Sequence, residues 1–149
     1  MSLRKRLVDD MKTAMKTREK LKLSVLRMAK AAAMNQEIER GHELDDDEFV
    51  EVLTKEVKLR RDSLDGYKKA DKPEIVETIE QEISILMEYL PTQMTESEIK
   101  ELVKKIVLEV GADSPKDMGK VMGKIVSMTK GRADGKVVSE LVKSTLNGE

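Results

Sequence analysis

Apolar residues recur every three or four positions along almost the whole chain, and no stretch alternates with the period of two that a half-buried strand needs. A chain patterned this way is restricted to packed amphipathic helices. The breaks in the pattern are equally informative. Ser2 precedes a first stripe of Leu3, Leu7, Met11 and Met15. A second helix, from about Arg18 to Arg40, carries Leu21, Val25, Met28, Ala29 and Ala32, with Gly41 as its stop. Asp45, with Glu48 three residues on, is a variant capping box opening a third helix. Phe49, Val52, Leu53, Val57 and Leu64 continue its apolar side to an end near Lys69. Pro73 suits the first turn of a fourth helix, lined by Ile75, Ile79, Ile83, Leu86 and Leu90. Pro91 stops it, because the residue before a proline is pushed out of helical conformation.

The segment 91–94 reads as a hinge. Beyond it, Thr95 and Glu98 form a second capping box, followed by Ile99, Leu102, Val103, Ile106 and Val110. Gly111 ends that helix. Ser114 is expected to cap the next, with Pro115 at its first position. Gly131 closes it, and Asp134 opens a last helix bearing Val137, Val138, Leu141, Val142 and Leu146. The expected fold is all-α. A helical N-terminal domain of about four helices spans 1–90, and a small three-helix domain spans 95–149. The only aromatic residues are Phe49, Tyr67 and Tyr89, so an aliphatic core is expected, and most of the ten methionines sit on the apolar stripes and are expected to pack there.

Lys116–Gly131 is unusual within this frame. At about 100° per residue, Met118, Val121, Met122, Ile125 and Met128 share one side of a helix, and Lys116, Gly119, Lys120, Gly123 and Lys124 share the other. Glycine inside a helix costs roughly 1 kcal/mol relative to alanine. On a lysine-rich face that cost points to something outside the domain approaching the backbone closely. With Lys130, Arg132 and Lys136 the lysines form a basic patch suited to phosphate groups. This part of the chain has no aromatic residue on which single-stranded bases could stack, so the expected ligand is a folded RNA gripped by backbone and shape.

Charge is unevenly spread. Residues 1–40 hold 11 basic against 5 acidic residues, whereas residues 41–90 hold 7 against 15. Catalytic signals are scarce. The single histidine, His42, lies in a loop and is expected to be solvated. Asp45–Glu48 lacks the spacing of a calcium loop and is better explained as helix capping. Gly119–Lys124 is one residue short of a phosphate loop and lies within a helix. No catalytic residue, metal or cofactor is expected. The chain contains no cysteine, no apolar run near the roughly 20 residues of a membrane span, and an N-terminus too charged for a signal peptide. A cytoplasmic protein without membrane association is the expectation.

The strings YLPTQMTESEI (89–99), DMGKVMGKIVSMTKGRADG (117–135) and VVSELVKSTL (137–146) resemble the YqeY family. That family shares a C-terminal domain with the B subunit of tRNA-dependent amidotransferases. The resemblance implies an all-helical protein whose small tail domain contacts tRNA outside the acceptor end. The amidotransferase chemistry resides in a large upstream domain with no counterpart among these residues. The implied role is therefore tRNA or RNA binding without independent catalysis, as an accessory to tRNA-dependent amidation or translation. The alternatives are a protein-interaction module, or an amidotransferase-associated subunit with glutamine as amide donor, active only in a complex.

Overall fold

The computed structural model describes residues 2–148, which form seven α-helices and one short 3-10 turn with no strand among them. The chain divides into two compact units, one up to Leu90 and one from Pro91 onward.

The first unit contains α1 (Leu3–Thr17), α2 (Lys20–Arg40), α3 (Asp46–Lys69) and α4 (Pro73–Met87). α2 is its centre and touches the other three. Leu7, Leu26, Leu53 and Leu86, one from each helix, are completely enclosed. Arg18 adopts a left-handed φ of 61°, which reverses the chain and starts the second helix at Lys20 rather than Arg18. Tyr89 ties the end of α4 to α1: its hydroxyl donates to Asp10, and the Arg6 guanidinium sits 4.6 Å over its ring. Burial, then the hydrogen bond to Asp10, pushes the Tyr89 hydroxyl pKa up.

The α3 cap forms as the spacing predicts. The Glu48 N–H donates to Asp45 Oδ1 at 2.8 Å, and the Asp45 N–H donates to Glu48 Oε1 at 3.2 Å. His42 departs from expectation. It is not merely solvated, because its Nε2 lies 2.8 Å from Glu48 Oε2, which also accepts from Arg40 Nη1 at 2.8 Å.

The second unit contains α5 (Glu96–Val110), the 3-10 turn Pro115–Asp117, α6 (Met118–Thr129) and α7 (Gly135–Leu146), with all three helices in mutual contact. Val103, Ile106, Val121, Ile125, Val138 and Val142 make an almost dry aliphatic core. Thr95 and Glu98 exchange the two expected capping bonds, each 3.1 Å. Gly111 takes a left-handed φ of 67° at the end of α5, a conformation that disfavours any residue with a Cβ.

The methionines correct a second expectation. None of the nine among the described residues belongs to either fully buried core. Met11, Met87, Met94, Met118 and Met122 line the edges. Met15, Met28, Met34 and Met128 are largely exposed. Smaller or branched side chains occupy the expected places: Ala14, Leu26 and Thr129 are buried instead, the last with its hydroxyl satisfied by the Ile125 carbonyl at 3.0 Å. Ile75 and Val137, near the starts of their helices, are also exposed. Among the described residues no helix is long and apolar enough to cross a membrane.

Candidate nucleic-acid interface

α6 is shorter than its sequence pattern. Ser114 makes no side-chain cap, and Pro115–Asp117 form a 3-10 turn before the α-helix begins at Met118. Asp117, the residue before α6, makes no side-chain cap either; its carboxylate turns back to accept the Asp113 N–H at 3.1 Å. That hydrogen bond, more than any other influence, lowers the Asp117 pKa. A 3-10 turn advances about 120° per residue rather than about 100°. Lys116 therefore lies outside α6 and is turned by about 40° from the place it would have on a continuous helix with Lys120 and Lys124.

Gly119, Lys120, Gly123 and Lys124 do share the outer face of α6 and are all exposed. A Cβ built on Gly119 or Gly123 would meet nothing within 4 Å. Neither glycine is there to let this unit pack more closely, and the backbone beneath them is open on one side. Val126 continues the line one turn beyond Gly123 and is 51% exposed. Sequence reasoning did not single out Val126, although its spacing from Gly119 and Gly123 was a readable signal.

The lysines are not equally available. Lys120 Nζ lies 3.7 Å from Asp117 Oδ1. Lys124 is paired with Glu109 of α5, and this pairing holds the Glu109 carboxyl below its ordinary pKa. Both pairs are at the surface, where water and salt weaken them. Lys116 and Lys136 are exposed and have no acidic partner among the described residues. Lys136 occupies the first turn of α7, where a cation opposes the helix dipole.

Lys130 and Arg132 belong to the connection between α6 and α7. Arg132 is partly a structural residue. Its Nε donates to the Thr92 carbonyl at 3.1 Å, and its own carbonyl accepts the Met94 N–H at 2.8 Å. Gln93 Nε2 adds a bond to the Gly131 carbonyl at 2.8 Å. These bonds lock the 92–94 segment onto the turn after α6. The expected patch thus spreads over two stretches, with Lys124 and Lys130 six residues apart, about 9 Å along the α6 axis. Gly119, Lys120, Gly123 and Lys124 form one on the helix; Lys130, Arg132 and Lys136 form the other at its far end. Lys116 precedes the first.

No His, Asp or Glu residues gather in threes as a metal site among the described residues. The acids most concentrated in sequence, Asp45–Glu48, are drawn into the α3 cap and its ion pairs.

No curated protein matches the chain. The family model for YqeY, described as Yqey-like protein, matches residues 4–146. That match takes in both units and every helix named above, and on it the chain belongs to the YqeY family.

Proposed function

We propose that the protein binds folded RNA, with tRNA the leading candidate, through the outer face of α6 and the basic turn that follows it. One observation carries this reading: the open backbone at Gly119 and Gly123, in helical register with Lys120 and Lys124. A bare helix surface admits a sugar-phosphate backbone to close range, and the flanking ammonium groups neutralise it. Such binding reads shape rather than sequence, in keeping with the absence of aromatic residues after Tyr89. Filter binding to total tRNA over a range of salt concentrations is the test. Affinity should fall steeply with salt, and Lys120→Ala/Lys124→Ala should reduce both the affinity and the slope. No detectable binding at low salt, or a double variant that binds unchanged, refutes the proposal. The role in translation or tRNA-dependent amidation that goes with it predicts that adding the protein changes the rate of glutamine-dependent amidation of mischarged tRNA.

Val126 favours a second reading. An exposed valine in line with two glycines is also the profile of a groove for a partner helix. In that case Gly119→Leu abolishes capture of a protein partner, and nuclease treatment leaves the wild-type capture intact.

A further inference from the structure

The outer surface of the α1–α2 hairpin carries a basic charge that its own unit does not neutralise. On α1, Lys5, Lys12 and Lys16 point within about 20° of one direction, on the side opposite the buried Leu7 and Ala14. Lys20 and Arg27 share the side of α2 opposite the buried Ala29, and Arg18 lies on the two-residue turn between the helices. All six are exposed, and none has an acidic partner among the described residues. Acids are few on this surface. Asp9 flanks the α1 row and is half-buried. Glu19 lies on the turn, where its carboxylate accepts the Thr17 hydroxyl at 2.7 Å. α2 has no acid before Glu37. The other two cations of α1 are held within the unit, Arg4 by Glu37 and Arg6 over the Tyr89 ring.

For the fold alone these charges are unfavourable. Lys12 and Lys16 are like charges one turn apart. The first turns of α1 and α2 contain cations and no acid, where the helix dipole favours the opposite sign and where α3 and α5 carry acids. A surface of unpaired cations draws a polyanion. Two features favour the phosphate backbone of RNA over an anionic membrane. Leu7 and Ala14, on the apolar side of α1, are closed into the core and are not free to insert between lipids. The cations also stand in rows, about 16 Å long from Lys5 to Lys16 and about 10 Å from Lys20 to Arg27, which suits a line of phosphates better than a flat sheet of headgroups. Neither helix has an aromatic residue for base stacking, so the contact is with the backbone.

We propose that the outer surface of the α1–α2 hairpin is a second RNA-binding surface, separate from the α6 face, that grips the phosphate backbone. It rests on the reading that the protein binds RNA. Filter binding of the full chain to total tRNA across a salt series is the test. Lys12→Gln/Lys16→Gln/Arg27→Gln should weaken binding at least about tenfold at low salt and reduce the slope of log affinity against log salt by about two. The three positions are exposed, so the helical content of the variant should match the wild type and its melting temperature should match or exceed it. Lys58→Gln/Lys69→Gln/Lys72→Gln removes the same charge from other exposed positions of the same unit and should change the affinity less than about threefold. Equal loss in that control, or a hairpin variant that binds tRNA unchanged, overturns the proposal. Vesicles containing phosphatidylserine should not bind at salt concentrations where tRNA does. Vesicle binding that the hairpin variant loses, with its tRNA affinity intact, would assign the surface to a membrane instead. Lys120→Ala/Lys124→Ala tests the α6 face separately. Loss of binding in that variant alone overturns the hairpin surface and leaves the α6 reading; loss in the hairpin variant alone does the reverse. A wild type that binds no tRNA at low salt overturns both.

Discussion

At the scale of single residues, Gly119 and Gly123 separate stability from function. Both sit within α6 with open space where a Cβ would be. Alanine at either position removes backbone freedom from the unfolded chain and clashes with nothing. Each substitution should stabilise the second unit by about 1 kcal/mol. If the bare backbone is the RNA contact, the same substitutions should weaken tRNA binding. A rise in melting temperature together with a loss of affinity is the signature; a stabilised variant that binds tRNA unchanged removes the glycines from the interface. Lys124 gives a converse test. Its partner Glu109 neutralises it, and if phosphate binds at Lys124 the same carboxylate repels it. Glu109→Gln should therefore tighten RNA binding several-fold at low salt, and the gain should vanish at high salt. Weaker binding in that variant would place the phosphates elsewhere.

At the scale of an element, α3 illustrates which local features can be read from sequence. Its capping box was legible because both partners lie within four residues, and the same holds for Thr95 and Glu98. The α6 start departs from the pattern because Pro115–Asp117 take up a 3-10 turn in which neither Ser114 nor Asp117 caps with its side chain, a choice between helix types that spacing does not decide. The Lys124–Glu109 pair was illegible because it joins two helices that become neighbours only in the folded chain. The α3 cap also carries a pH dependence. The Glu48 carboxylate beside His42 raises the imidazole pKa, and His42 and then Arg40 lower Glu48 to about 2. The His42 contribution is complete below its ordinary pKa of 6.5 and is lost as pH rises through the raised value. The Glu48 contribution is present above its ordinary 4.5 and is lost as pH falls towards about 2. The first unit should therefore be most stable between those two ordinary values. His42→Gln should abolish the decline on the alkaline side and leave the acid limb in place, as read from melts across the pH range. An alkaline decline that persists in the variant assigns it to another group.

At the scale of the whole molecule, the two hydrophobic cores, the first with Phe49 and Tyr89 among its aliphatic residues, raise the question of whether they unfold as one. Each is lined by residues of its own unit, Leu7 to Tyr89 in the first and Ile99 to Leu146 in the second. The second is the smaller, built from valine, isoleucine and Leu146 without any aromatic, and small cores are marginal. We expect it to melt first and separately. The chain supplies its own reporters for this, since Tyr67 and Tyr89 both precede Pro91. Tyrosine fluorescence follows the first unit alone, whereas far-ultraviolet circular dichroism follows every helix. The two denaturation curves should not coincide, the fluorescence transition lying at higher denaturant. Ile125 is completely buried in the second core, and Ile125→Ala should cost about 2–5 kcal/mol there. That loss should shift or abolish the early dichroism transition and leave the tyrosine midpoint where it was. Coincident curves in the wild type, with Ile125→Ala moving both together, would mean that the two cores unfold as a single cooperative unit, and the boundary at Pro91 would then mark a bend in one domain.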